Sequence, residues 1–172
     1  MKAQQQLSPL NEAVFDKTKK YRYLLTRHLS EQKSVCTFIM LNPSTADATS
    51  NDPTVARCIQ FSKKWGYGKL NVLNIFAYRS TDPSHLYTLE DPVGPDNNKF
   101  IEETVSQSDL VIAAWGVHAA LNKRGEEVGG IVSTKRDLHC LSVTKDGYPG
   151  HPLYLKKDSL PLLYLKRKVP EE

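Results

Sequence analysis

The chain has 172 residues, is 40% hydrophobic and carries 23 Lys+Arg against 19 Asp+Glu, a net charge of +4. That length suits one domain with a real core and is too short to expect two. The mild basic excess permits phosphate or nucleic-acid partners without arguing for them. Much of it falls late: Lys145, Lys156, Lys157, Lys166, Arg167 and Lys168 face only Asp146 and Asp158 in their stretch, which reads first as a solvated, soluble face. Cys36, Cys58 and Cys140 are odd in number and set among apolar residues, as reduced thiols are, not a disulfide framework. The start, Met-Lys-Ala-Gln-Gln-Gln, lacks the apolar core of a signal peptide, and no apolar run approaches a bilayer's thickness. A cytoplasmic protein with no membrane partner is expected.

In chain order, residues 1–20 read as a polar leading segment of low order, 21–165 as a single α/β domain and 166–172 as a tail. Residues 21–29 and 34–41 flank Ser30-Glu31-Gln32-Lys33 and read as a β-hairpin feeding the first central strand. Val35, Phe38, Ile39, Met40 and Leu41 form an apolar run typical of a strand buried on both faces, halted by Pro43. Asn51-Asp52-Pro53 is a helix start, Asp52 capping free N–H groups and Pro53 losing no hydrogen bond at the first position. Val55, Cys58, Ile59 and Ser62 follow at helical spacing, and Gly66 and Gly68 end the helix. Residues 70–76 give a second strand, 84–98 a long excursion, and Phe100, Ile101, Thr104 and Val105 a helix. Residues 110–115 give a third strand, 119–132 a glycine-interrupted helix and 138–143 a fourth strand. Such alternation predicts an α/β three-layer sandwich: a central, mainly parallel four-stranded sheet covered on both faces, plus the N-terminal hairpin.

Ligands of such folds collect beyond the carboxyl ends of the strands, so four loops are expected to converge: 42–47, 78–83, 116–118 and 147–154. Asn42, Ser44, Thr45 and Asp47 sit in the first. There the Asn42 amide could orient a water, and His151 in the fourth loop could donate to charge developing on a leaving group. Turn bracing and simple exposure are the competing readings. Arg79 can grip a phosphate bidentately, and Lys156 and Lys157 can meet phosphates as point charges. Of the aromatic residues, Trp65, Phe76 and Trp115 are assigned to the core, which leaves Tyr78, Tyr148 and Tyr154 as stacking platforms for a base.

Other chemistries find little support. No Walker A sequence occurs, and Gly66-Tyr67-Gly68 lacks the third glycine and preceding strand of a dinucleotide fingerprint. Neither His-Glu-x-x-His nor dense Cys/His spacing is present, so no metal is expected. Ser44 lacks the Gly-x-Ser-x-Gly elbow of a serine hydrolase.

The segments Leu41-Asn42-Pro43-Ser44-Thr45-Ala46-Asp47, Asn51-Asp52-Pro53-Thr54 and Asn74-Ile75-Phe76-Ala77-Tyr78-Arg79-Ser80-Thr81-Asp82-Pro83 resemble a family of uncharacterised bacterial and phage proteins, a domain of unknown function. A more distant resemblance is to uracil-DNA glycosylases. Met40-Leu41-Asn42-Pro43-Ser44 is similar to their water-positioning loop, and 74–83 to an Asn-x-x-x-x-Arg-Pro segment. Residues 110–116 look like a strand ending in Trp-Gly, and Tyr148-Pro149-Gly150-His151-Pro152-Leu153 like a His-Pro-Ser segment. The resemblance implies a glycosylase-like sandwich in which Asn42 positions the attacking water, His151 stabilises the departing base, and 153–156, with Tyr154 and Lys156, lie along the nucleic-acid strand. Leu153 replaces the serine, the first loop has no glycine, and Ser80 stands where proline is found.

The expected function is that of a nucleobase-recognising protein, an N-glycosidic hydrolase acting on DNA in preference to RNA, or on a nucleotide. The alternative is a non-catalytic nucleic-acid or nucleotide binding module of the same fold, and a third is an unrelated hydrolase using Asp47. Base release by water requires no cofactor.

Overall fold

A computed structural model describes residues 4–7 and 11–170. Its strands are β1 (Gln4–Leu7), β2 (Asn11–Phe15), β3 (Arg22–His28), β4 (Val35–Met40), β5 (Lys69–Asn74), β6 (Leu110–Ala113), β7 (Leu138–Cys140) and β8 (Leu162–Leu165). The α-helices are α1 (Pro53–Lys64), α2 (Asn97–Ser106) and α3 (Arg124–Ser133).

The four expected central strands are present and mutually parallel, in the order β5-β4-β6-β7. They form the middle of a larger sheet than the four-stranded one expected: eight strands, ordered β1-β2-β3-β5-β4-β6-β7-β8, with antiparallel strands on both flanks. Alternate residues of β4 divide the core. Cys36, Phe38 and Met40 join Val55, Cys58 and Phe61 of α1 on one side, while Ile39 joins Ile101 and Val105 of α2 and Val128 and Val132 of α3 on the other. All three cysteines are free and buried.

The hairpin between 21–29 and 34–41 does not form. β3 pairs antiparallel with β5, Leu25 opposite Val72, and the chain then passes over the start of β5 to reach β4. Gly68 permits the crossing, since a Cβ there would lie 1.7 Å from the Gln32 carbonyl oxygen, so no side chain fits. The hairpin instead joins β2 to β3 around Asp16, whose carboxylate accepts from the Thr18 and Tyr21 N–H groups. Asn11–Phe15 therefore belongs to the sheet and not to a leading segment of low order, and of that expected segment residues 1–3 and 8–10 lie outside the described residues.

Helix α1 starts as its sequence dictates, with the Asp52 carboxylate accepting from the Val55 N–H at 2.8 Å and Pro53 in the first turn. The helix expected over 119–132 is split. A 3-10 stretch over Val117–Lys123 precedes α3, and Asn122 and Lys123 at φ near +53° and +54° break it. No helix of the described residues is long and apolar enough to cross a membrane.

Candidate functional site

The chain leaves β4 through α1 on one face to reach β5, and reaches β6 from β5 through α2 on the other face. The connections thus diverge at β4, and a crevice is required outside its carboxyl end. A cavity of about 540 Å³ lies there.

Each converging loop supplies part of it. Asn42 and Ser44 follow β4, and Asp52 and Thr54 open α1. Asn74 and Ser80 come from the end of β5, Trp115 through His118 follow β6, and His151, Leu153 and Tyr154 follow β7. Gly116 turns that third loop at φ +72°, a backbone conformation side chains disfavour. Much of the wall is apolar (Met40, Leu41, Val55, Val72, Trp115), the usual make-up of a small-molecule site with a few polar groups to orient the ligand.

Asn42 is half-buried. Its Nδ2 donates to the carbonyls of Pro43 (3.2 Å) and Ser80 (2.9 Å), which leaves Oδ1 as the atom able to accept from a ligand or water. His151 is held by the Leu153 N–H, which donates to its Nδ1 at 3.2 Å. In the neutral ring the proton must then sit on Nε2, making that atom a donor. Burial lowers the His151 pKa, and the nearby Asp52 carboxylate partly restores it. Tyr154, 84% exposed, stands at the rim with its ring 5.7 Å from the imidazole.

Four of the site residues singled out from sequence, Asn42, Ser44, His151 and Tyr154, line this one cavity; Thr45, Asp47, Tyr78, Arg79, Tyr148, Lys156 and Lys157 do not. Thr45 is exposed. Asp47 turns onto its own loop, where Oδ1 accepts from the N–H and hydroxyl groups of Thr49 and Ser50. These bonds hold its pKa down and leave it poorly placed as a base for the Asp47 hydrolase reading. Tyr78 packs edge-on against Tyr21. Arg79 lies over the Phe15 ring at 4.8 Å and donates to the Lys19 carbonyl, away from the cavity. Tyr148 lines a second cavity of about 650 Å³ beside α3, which Trp115 separates from the first by lining both. Lys156 is exposed outside the cavity lining.

The structure adds residues that sequence patterns do not single out. Arg22, only 2% exposed, lines the cleft and donates to the Ala46 carbonyl and to Asn74 Oδ1. Arg27, also on β3, fastens the loop between β4 and α1 through the carbonyls of Asp47 and Ser50 and the Asn51 side chain. One signal for them exists: two arginines in one short strand, beside Tyr23, Leu24 and Leu25, must have partners if that strand is buried.

Fold and site define the class: an α/β protein whose mixed sheet, parallel across its four middle strands, carries a ligand-sized cleft at its topological switch point. The chain belongs to the family described as "Protein of unknown function (DUF1643)", whose model matches residues 22–153. No curated protein and no solved structure matches it. Among the described residues, no group of three or more His, Cys, Asp or Glu side chains is placed to hold a metal ion.

Proposed function

We propose that the cleft receives a nucleobase and that the protein is an N-glycosidic hydrolase, releasing the base from DNA or from a nucleotide by attack of water. The observation that carries this reading is that Asn42 and His151, 109 positions apart in sequence, line one cavity at the strand ends. In the reaction the C1′–N bond breaks with its electron pair going to the base, and the water oxygen bonds to C1′. Asn42 Oδ1 accepts one hydrogen bond from that water and so aims it. The Nε2–H of His151 donates to the negative charge that gathers on the departing base, the kind of charge-directed donor that lowers such a barrier. Asp52, at the opening of α1, faces the cationic sugar and is the carboxylate nearest at hand to take the water's proton; one of its oxygens remains the helix cap. Apolar walls exclude solvent, and Leu153 and Tyr154 at the rim offer surfaces for an unstacked nucleotide.

A second reading, a binding module without chemistry, draws on the same Asn42: its amide is committed to two backbone carbonyls, so the residue has a structural role whether or not it meets water. One experiment separates the two. The protein is incubated with DNA carrying uracil or other altered bases and with nucleoside monophosphates, and both free base and abasic sites are assayed. The hydrolase reading expects base release that falls by about two to four decades in His151→Ala and Asn42→Ala with binding largely kept. No base release from any substrate, with binding intact, establishes the module instead.

A further inference from the structure

Arg22 is the most unusual group in the cleft. It is one of the largest fully buried side chains in the protein, yet no carboxylate among the described residues forms an ion pair with it. Its Nη1 donates to the Ala46 carbonyl at 3.0 Å and its Nη2 to Asn74 Oδ1 at 3.3 Å. Its Nε–H is buried without a partner. Arginine offers five N–H donors in a rigid plane, so a substantial part of this one's capacity is unused on the wall of a cavity. Burial depresses its pKa to about 10, which still leaves it charged at neutral pH; Asp52 and Asp47 favour the cation while Arg79 and Arg27 oppose it. Around it the cleft is donor-rich. The Asn74 Oδ1 is taken by Arg22, which leaves the Asn74 amide Nδ2–H groups to donate, and α1 begins at the cavity with Thr54 and Val55 in its lining, so the positive end of its dipole faces the same space. Asp52 is the one carboxylate in the lining, and it is partly offset by the Val55 N–H and that same helix end.

We propose that Arg22, with the Asn74 amide beside it, is the receptor for an anionic, multiply accepting group of the ligand. Adjacent oxygen or ring-nitrogen acceptors are what a guanidinium edge binds bidentately. Two sources present them: the N–C=O edge of a base as it leaves with negative charge, and a phosphate. Seating either against the part of the guanidinium that lines the cleft gives the unpaired cation its counter-charge. The inference uses the cleft of the proposed base-releasing site but does not require bond cleavage.

The test follows the Arg22 Nε–H resonance by ¹⁵N NMR in the full chain, assigned through its disappearance in Arg22→Lys. Uracil, inorganic phosphate and deoxyuridine monophosphate are titrated separately. A saturable shift of that resonance with uracil supports the base edge as the source; a shift with phosphate and the nucleotide but not with uracil supports phosphate. Arg22→Lys should weaken the active probe at least tenfold, by loss of the planar fork, whereas Arg79→Lys should leave it unchanged; if Arg22→Lys does not fold, assignment through Arg22→Gln or by direct through-bond correlation leaves the wild-type titration decisive. A resonance unmoved by all three probes overturns the proposal, as does a probe that shifts the Asn42 and Gly116 amides while leaving Arg22 still. Base release with an unmoved Arg22 sinks this inference alone, and a shifted Arg22 without base release sinks the hydrolase reading alone.

Discussion

The Asn42 amide donates to the backbone carbonyl of Ser80 at 2.9 Å across 38 positions of chain, tying the loop after β4 to the loop after β5. A second bond from the same Nδ2, to Pro43 at 3.2 Å, fixes the plane of the amide. Asn42→Ala removes both donors from a half-buried position and should lower stability by about 1–2 kcal/mol. Asn42→Asp should lower it further, since a carboxylate would then face two carbonyl oxygens. Thermal unfolding of the two variants measures this; an unchanged midpoint in both would mean that the tie contributes nothing and that Asn42 serves only the ligand.

His151 sets a pH dependence whose direction follows from its burial. Its folded pKa lies below the ordinary 6.5, so between that lowered value and 6.5 the unfolded chain binds the extra proton. Stability contributed by the neutral ring is complete above pH 6.5 and is lost as pH falls through that window. The proposed base release calls on the same neutral form, with Nδ1 accepting from the Leu153 N–H and Nε2–H free to donate. Base release should therefore stay level from pH 8 down past the ordinary histidine pKa and decline only below it. A decline centred above 6.5 in wild type, absent from His151→Gln, would refute the assignment.

The parts of the fold legible in the sequence are those where one local signal suffices. Asp52-Pro53 marks the start of α1, and the apolar runs mark β4, β5 and β6, because caps and two-sided burial leave traces within a few residues. The flanking strands leave weaker traces. β2 reads Asn-Glu-Ala-Val-Phe and β8 is four residues long with mostly exposed side chains, so neither has a long apolar period to detect. Nor can periodicity say which neighbour a strand chooses: the crossing over Gly68, and with it the pairing of β3 with β5, depends on the close approach of Gln32 to Gly68, which no local pattern encodes. The same limit governs the site. Asn42 and His151 follow strand ends and are legible by that rule, whereas Arg22 reaches the cleft only because β3 lies beside β5 and under the loop carrying Ala46.

Arg22 and Arg79 look alike in sequence as cations near strand ends, and their surroundings assign them opposite duties. The Arg79 guanidinium is 4.8 Å from the Phe15 ring centroid on β2, with Nη1 bonded to the Lys19 carbonyl, so it pins the N-terminal hairpin to the loop after β5. Arg79→Ala should lower stability by about 1 kcal/mol, the scale of one cation–π interaction plus one hydrogen bond at a half-exposed site, and leave nucleic-acid affinity and its salt dependence as they were. A group of cations lies elsewhere: Arg57, Lys64 and Lys157 line one shallow hollow along α1, where Lys64 Nζ also donates to the Lys157 carbonyl, and Lys156 is exposed one residue away. If DNA runs over that face toward the cleft, Lys64→Ala/Lys157→Ala should flatten the plot of log affinity against log salt by about one unit for every phosphate the variant no longer neutralises. Fluorescence anisotropy with a short labelled DNA at several salt concentrations measures both variants. A flattened slope in Arg79→Ala with no change in the double lysine variant would reverse the assignment and route the strand past β2 and β3.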